Sequence, residues 1–432
     1  MLLSDPKMPF LDMAWSAPRI LDLFNQEILP AGLPGQHASA VKVGKKIGYV
    51  PGRECVVPYE LKFDDKEKGQ AVATFVPDVG VLENILAANA PGAVLLRDHR
   101  CLIEFFPHDW CMPSLPKVMD AAAMTPRLVD ALSLDGEWTG ECEVARYRPH
   151  MRCTLRYHLT STDGDRRMVL YVKVYADHEP AGRIAHSQAD VRAQAEARGI
   201  YIPRPAAVFE DLNVVVMKEV AGHSMTQLLE GGPAQAREVT RIAAATMATY
   251  HGLTHGDPKA RTLSGEIARW RNNVPELDMI APAFADSVHG LLDTIERTTD
   301  HSDHVALCLI HGDAKPTHLM MHGDQVGIID FDRACLGDPA LDVGAFVAHF
   351  RKFDMRKKNG ERGPLTSLFL SEYEAQAPGE GLIRRAHLFE SLTLLRMASR
   401  QLLRAPYKYA KKGAASRPSR LLDEAFNCLE GL

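Results

Sequence analysis

The stretch His311-Gly-Asp-Ala-Lys-Pro-Thr-His318, followed by Ile329-Asp-Phe-Asp332, constrains this chain more than any other part of it. Asp313 and Asp330 stand seventeen residues apart. Between them Gln325-Val-Gly-Ile-Ile-Asp330 is a short apolar run that reads as a strand. A loop and a strand end then deliver one carboxylate each. Such a pair suits two tasks at one place: receiving a hydroxyl proton and holding a divalent cation against phosphate oxygens. A lone His-Gly-Asp would be an ordinary surface turn. The combination with Ile-Asp-Phe-Asp and with Gly337-Asp-Pro-Ala-Leu-Asp342 is a pattern.

On these residues the chain resembles the aminoglycoside phosphotransferase and choline-kinase-like family, distant relatives of protein kinases. His311, Gly312 and Asp313 match its catalytic loop, Lys315-Pro316 match the protein-kinase version, and Ile329-Asp330-Phe331-Asp332 match its metal-binding segment. One position departs: His318 stands where the family has an Asn. The resemblance implies an α+β fold, two-lobed and protein-kinase-like, with ATP and Mg²⁺ as cofactors. It makes Asp313 the catalytic base, Lys315 a neutraliser of charge on the transferred group, and Asp330 the Mg²⁺ ligand. His311 would bond the backbone near Asp330. At His318 an imidazole suits softer metals than Mg²⁺. Either Asp330 and waters hold one metal, or the site prefers Mn²⁺ with His318 as a ligand, or catalysis is weak or lost. Two other readings stand beside a kinase: a nucleotide-binding pseudokinase with a regulatory or scaffold role, and a metal-dependent hydrolase built on His311, Asp313, His318 and Asp330. The hydrolase leaves Lys315-Pro316 and Gly337-Asp-Pro without a role.

A second feature is an internal repeat. Tyr49, Pro51, Cys55, Tyr59 and Leu61 recur as Tyr147, Pro149, Cys153, Tyr157 and Leu159, offset by 98 residues. Both copies read as a turn feeding an alternating strand. The second continues into Met168-Val-Leu-Tyr-Val-Lys173-Val-Tyr175, an apolar strand with one lysine, which needs a ligand or a carboxylate if it is buried. In the resembling fold such a lysine holds the α- and β-phosphates. In the same ungapped register the first copy has Phe75 at that place, so it reads as a lobe without nucleotide chemistry. A helix over 181–198 follows, ended by Gly199, Pro203 and Pro205. The resemblance puts an acid there to orient Lys173, with Asp190 and Glu196 as candidates and Asp190 favoured. Asn213 to Gly222 reads as a strand entering a turn, and resembles a hinge whose backbone at Glu219, Val220 and Ala221 binds adenine. His251 reads as the C-terminal cap and a packing residue of a helix over 234–252, 264–300 as two helices separated by Pro275 and Pro282, and 305–310 as a strand.

At 432 residues the chain has room for two or three domains. We expect an accessory lobe over 1–140 repeated from the nucleotide lobe, an ATP-binding lobe over 141–222, and a mainly helical catalytic and acceptor-binding lobe over 223–432. No 18-residue apolar run is present and the start reads as no secretory signal, so we expect a cytoplasmic protein. Eight scattered cysteines without a Cys-x-x-Cys pair read as reduced thiols. Residues 351–432 carry 16 Lys and Arg against 9 Asp and Glu, although the whole chain is at −5. Arg384, Arg385, Arg396, Arg400 and Arg404 recur near helical spacing there, followed by Lys408, Lys411 and Lys412. In the resembling family this region holds the acceptor. A basic wall repels a polycationic drug and favours a neutral or anionic small-molecule hydroxyl. Sparse aromatic interleaving and negative overall charge argue against nucleic acid.

Overall fold

Alternation sets the centre of the fold. In Arg152–Ser161 the side chains of Cys153, Leu155, Tyr157 and Leu159 are buried and their neighbours half-buried. That is the period of two that a strand with one covered face requires. The computed structural model describes residues 5–44, 46–89, 92–253, 260–299, 305–323, 325–355, 364–404, 406, 416–430 and 432. It is a mixed α+β structure.

Arg152–Ser161 belongs to a five-stranded antiparallel sheet. Its spatial order is Trp138–Arg148, Arg152–Ser161, Arg167–Tyr175, Val214–Lys218, Pro205–Phe209. The helix Ala181–Glu196 carries the chain from the middle strand towards the far edge. The sheet's apolar face is covered by Leu115, Val118, Met124 and Leu128, from the helices Leu115–Met119 and Ala121–Ala131. This core therefore begins at Cys111, not at 141: helices expected to close the first lobe are the floor of the second.

The first sheet has the same strand order. Ala38–Val43 lies beside Glu54–Phe63, then Lys68–Phe75, Cys101–Phe105 and Val94–Leu96, with Gly48–Val50 also on Glu54–Phe63. The helix Val79–Asn89 holds the same place in the order. Hydrogen bonds recur as well. Tyr49 Oη and the Gly52 N–H donate to Asp5 Oδ2 at 2.9 and 2.7 Å. Tyr147 Oη and the His150 N–H donate to Asp109 Oδ2 at 2.8 and 2.9 Å. Tyr59 donates to the Ala14 carbonyl and Tyr157 to the Val118 carbonyl. The Asp5 and Asp109 acceptors lie in a further matched stretch, Asp5-x-x-Met8-Pro-x-Leu11 and Asp109-x-x-Met112-Pro-x-Leu115, offset by 104 rather than 98. One expectation is corrected. Thr154 pairs with Lys173 and Val56 pairs with Thr74, so Thr74, not Phe75, stands where the second copy has its lysine. The intervening hairpin is one residue longer in the second copy.

The rest is mainly helical around one core, to which Pro233–His251, Leu263–Ile280, Pro282–Thr298, Pro339–Asp354 and Leu382–Arg404 contribute. Pro275 does not separate two helices but lies inside Leu263–Ile280. Burial of Val274, Leu277 and Ile280 on one face carries that helix through the missing N–H. Ile280 also enters the core of the first lobe, against which Met279 and Leu403 pack. Two small sheets frame the segment of interest. One orders His223–Ser224, Leu319–His322, Gln325–Ile328 and Ile200–Tyr201 side by side; the other joins Ala260–Arg261, Cys335–Gly337 and Cys308–Ile310. The strand expected over 305–310 is confined to Cys308–Ile310. Lys408, Lys411 and Lys412 lie outside the described residues. Among the described residues no helix is long and apolar enough to cross a membrane, and all eight cysteines are free.

Candidate active site

The loop from His311 leaves the strand Cys308–Ile310 and returns as Leu319–His322. Its first turn needs glycine: Gly312 has φ +72°, and a Cβ there would overlap the Arg333 carbonyl. Asp342, fully buried, anchors that turn by accepting the N–H of His311 at 2.5 Å and of Gly312 at 2.9 Å. Burial alone would raise its pKa, but the bond from His251 helps hold it low. His251 Nε2 lies 3.2 Å from Asp342 Oδ2, and Nδ1 lies 2.6 Å from the Tyr373 hydroxyl. His251 ends its helix and packs, as expected: its buried ring joins that helix to Asp342 and Tyr373.

Asp313 points at Lys315, whose ammonium is 2.6 Å away. Burial raises the Asp313 carboxyl, but Lys315 outweighs it and keeps the group ionised below the ordinary carboxylate range. For Lys315 burial wins, and its ammonium titrates below its ordinary value. Asp330 follows the strand Gln325–Ile328 with φ +69°, a left-handed conformation that a non-glycine residue holds only under constraint. His311 Nε2 donates to the Ile329 carbonyl at 2.9 Å, the contact expected of it.

Two cations and a neutral imidazole face the Asp330 segment. Lys173 Nζ lies 3.3 Å from Asp330 Oδ1 and 3.6 Å from Asp332 Oδ1. Arg152 pairs closely with Asp332 and lies 3.6 Å from Asp330. His318 Nε2 is 3.3 Å from Asp330 Oδ2. Burial raises the Asp330 carboxyl, and Lys173 and Arg152 more than reverse that. One ligand atom each from Asp313, His318 and Asp330 lie within 4.8 Å of one another, close enough to meet one cation. The carboxylates suit Mg²⁺; the imidazole suits Mn²⁺ or Zn²⁺ better. His318 is held neutral, because burial, His311 and Lys315 bring its pKa down to about 3. Metal binding through Nε2 would put the ring proton on Nδ1, which is buried with no acceptor among the described residues. A proton on Nε2 instead meets Asp330. His318 is thus better placed to donate to Asp330 than to bind a metal, and the carboxylates fit the cation.

Glu219, Val220 and Ala221 line a cavity of about 300 Å³ with Tyr201, Met320 and Gly327. Of the acids considered for Lys173, Glu196 pairs with Arg204 at 2.9 Å instead, and the side chain of Asp190 lies outside what is described. Asp330 and Asp332 are the partners of Lys173. Sequence reasoning also missed Arg152, which carries no signal beyond its place after the repeated turn. Asp342 ends the Gly-Asp-Pro motif, which by itself points to no task for it. Of the five arginines singled out, Arg384 bonds the Thr298 carbonyl at 3.1 Å and Arg385 pairs with Asp338 at 2.9 Å, so both are structural.

Residues 154–363 match the model of the phosphotransferase enzyme family. The matching segment contains Lys173, the loop at Asp313 and the strand end at Asp330. A homoserine kinase of Rhizobium rhizogenes is 32% identical over 110 residues, which are 25% of this chain and 33% of that protein. The match therefore spans a third of that relative's length. Among solved structures, a choline/ethanolamine kinase family protein of Mesorhizobium loti is 16% identical with a TM-score of 0.44, covering 72% of this chain and 95% of its own. An ethanolamine kinase of Plasmodium vivax is 11% identical with a TM-score of 0.46, covering 82% and 94%.

Proposed function

We propose that this protein transfers the γ-phosphoryl group of ATP to a hydroxyl of a small molecule, neutral or anionic rather than polycationic. The observation that carries this reading is the convergence of Asp313 and Asp330 within 4.8 Å, beside Lys173, inside the segment that matches the phosphotransferase family. Adenine would occupy the cavity at 219–221. Glu219 N–H already donates to the Val169 carbonyl, which leaves the backbone of Val220 and Ala221 for the base. Lys173 and Arg152 would turn from Asp330 and Asp332 towards the phosphates. Asp330, with Asp313 opposite, would hold Mg²⁺ or Mn²⁺, which when bound neutralises the β- and γ-phosphate oxygens.

In the transfer the acceptor oxygen forms a bond to Pγ as the bond from Pγ to the bridging oxygen breaks. That electron pair leaves with ADP, and the hydroxyl proton passes to Asp313: ATP + R–OH → ADP + R–OPO₃²⁻ + H⁺. Asp313 suits that role because it is ionised at neutral pH. Lys315 is placed to offset charge on the equatorial oxygens. The barrier falls by positioning and charge neutralisation rather than through a covalent intermediate. A test measures ADP release across a panel of hydroxyl acceptors with wild type and Asp313→Asn. Turnover falling by about 10² or more, with AMP-PNP affinity retained, supports the reading; unchanged turnover removes Asp313 from the mechanism.

A second reading, a nucleotide-binding protein without efficient transfer, is favoured by His318 and by the tight turn 149–151. That turn has no glycine with which to cradle phosphates. Metal-dependent AMP-PNP binding without ADP release on any acceptor would select it.

A further inference from the structure

Beside Asp313 stands a group of cations, of which Arg148, Arg396 and Arg400 are half-buried and Lys46, Arg146 and Arg404 exposed. Arg396, Arg400 and Arg404 stand four residues apart on the helix Leu382–Arg404 and so share one face. Arg146 and Arg148 lie on the end of the strand Trp138–Arg148 that turns into Arg152. Lys46 comes from the first lobe, where the Ile47 N–H donates to the Arg404 carbonyl at 3.4 Å and Leu403 packs into that lobe's core. Three parts of the chain thus bring cations to one place. Among the described residues none of these six side chains has a hydrogen bond or ion pair, whereas Arg384 and Arg385 on the same helix both do.

Their charges act on one another. Burial, then Arg396, Arg404 and Arg333, push Arg400 down to about 10. Burial, then Arg146, Arg152 and Arg404, push Arg148 down to about 10. Lys46 is lowered by burial and by Arg146, Arg148 and Arg404. Leaving like charges unpaired and partly out of water is unfavourable, and an anionic ligand relieves it.

Position distinguishes this group from the nucleotide's own phosphate contacts. Asp330 is faced by Lys173 and Arg152, while Arg396 and Arg400 interact with Asp313. Arg396 and Arg400 thus stand by the proton-accepting carboxylate, while Arg148 links the group to Arg152 and Asp330. The group draws on three separate parts of the chain and has no interleaved aromatics, unlike a basic stripe that binds nucleic acid.

We propose that this cluster seats a phosphate group on the acceptor, so that the compound phosphorylated at Asp313 is a hydroxyl compound already carrying a phosphate ester. The proposal rests on the phosphotransferase reading and deepens it. It also gives the first lobe a task, since Lys46 completes the site from that lobe.

The test uses the full chain saturated with AMP-PNP and Mg²⁺, titrated calorimetrically with fructose 1,6-bisphosphate as probe and with fructose as its neutral counterpart. Wild type is compared with Arg400→Gln/Arg404→Gln and with Lys46→Gln, an exposed position whose replacement disturbs no packing. The bisphosphate should bind about tenfold or more tightly than fructose, and less tightly as salt is raised. The double variant should lose about tenfold or more, and Lys46→Gln about threefold, with AMP-PNP affinity unchanged in both. Equal binding of the two sugars overturns the proposal, as do variants that bind the bisphosphate like wild type. Displacement of AMP-PNP by the bisphosphate also overturns it, by assigning the cluster to the nucleotide's phosphates. If AMP-PNP itself fails to bind wild type, the phosphotransferase reading falls and takes this inference with it; that arm is read before any sugar is added.

Discussion

Asp313, His318 and Asp330 separate what a residue is from what its surroundings make of it. Two are carboxylates of the same ordinary pKa, yet each is held ionised by a different cation, Lys315 for one and Lys173 with Arg152 for the other. His318 offers imidazole where an amide oxygen would serve Mg²⁺ better. Replacing it by Asn should tighten Mg²⁺-dependent AMP-PNP binding by about threefold or more, since the amide oxygen is a harder donor. Equal affinity in wild type and variant would show that position 318 does not touch the metal. A further residue adds to acid sensitivity. His349, on the helix Pro339–Asp354, is brought down to about 3 by burial and by Lys352 and Lys315. Its folded value is depressed, so between about pH 6.5 and 3 the unfolded chain binds a proton that the folded chain does not. Stability should therefore fall as pH drops through that window. Urea titrations should show His349→Gln flattening the slope by up to about 1.4 kcal/mol per pH unit. At this scale the sequence was legible where residues act as a motif. Asp313, Asp330 and His311 could be singled out because their spacing is tied to one strand. Arg152 and His349 could not, because their contacts come from packing between distant segments.

At the scale of elements, the loop over 311–318 is held by a helix end and a buried acid rather than by its own turn. Asp342 accepts two loop N–H groups and faces His251, which in turn meets Tyr373. Asp342→Ala leaves those donors buried without a partner. It should cost about 3 kcal/mol or more in urea unfolding and reduce any turnover with it. A cost below about 1 kcal/mol would mean the loop keeps its shape without the anchor. The strands themselves were readable from alternation, and Lys173 stood out as the one cation in an apolar strand. Its partner was not readable. The lysine was assigned to an acid on the helix Ala181–Glu196, whereas it meets Asp330 and Asp332, which lie more than 150 residues away and belong to the other lobe. Pro275 misled for a related reason: a proline's local effect yields when the flanking apolar residues stay buried on one face.

For the whole molecule, two sheets of identical strand order stand in one chain, each fastened by a Tyr–Asp pair and a Tyr–carbonyl bond at matching places. Only one has the lysine. We read the first as a copy of the second that kept its frame and took on a supporting role. The repeat was legible at 98 residues of offset, but its leading segment was hidden because the offset there is 104. That is why Cys111 to Leu128 were assigned to the wrong lobe. The first lobe packs on Ile280 and Leu403, so it is not a free appendage. Removing residues 1–105 should expose that face and lower the melting temperature by several degrees; an unchanged melting temperature would make the lobe an independent module.

The central claim is that Asp330, reached by Lys173 and opposed by Asp313, holds the cation that carries the nucleotide. The most direct measurement is a calorimetric titration of AMP-PNP with Mn²⁺ into wild type and Asp330→Asn. The account predicts saturable, metal-dependent binding to wild type and a loss of about tenfold or more in the variant. Binding of equal strength to both, with or without the metal, would contradict it.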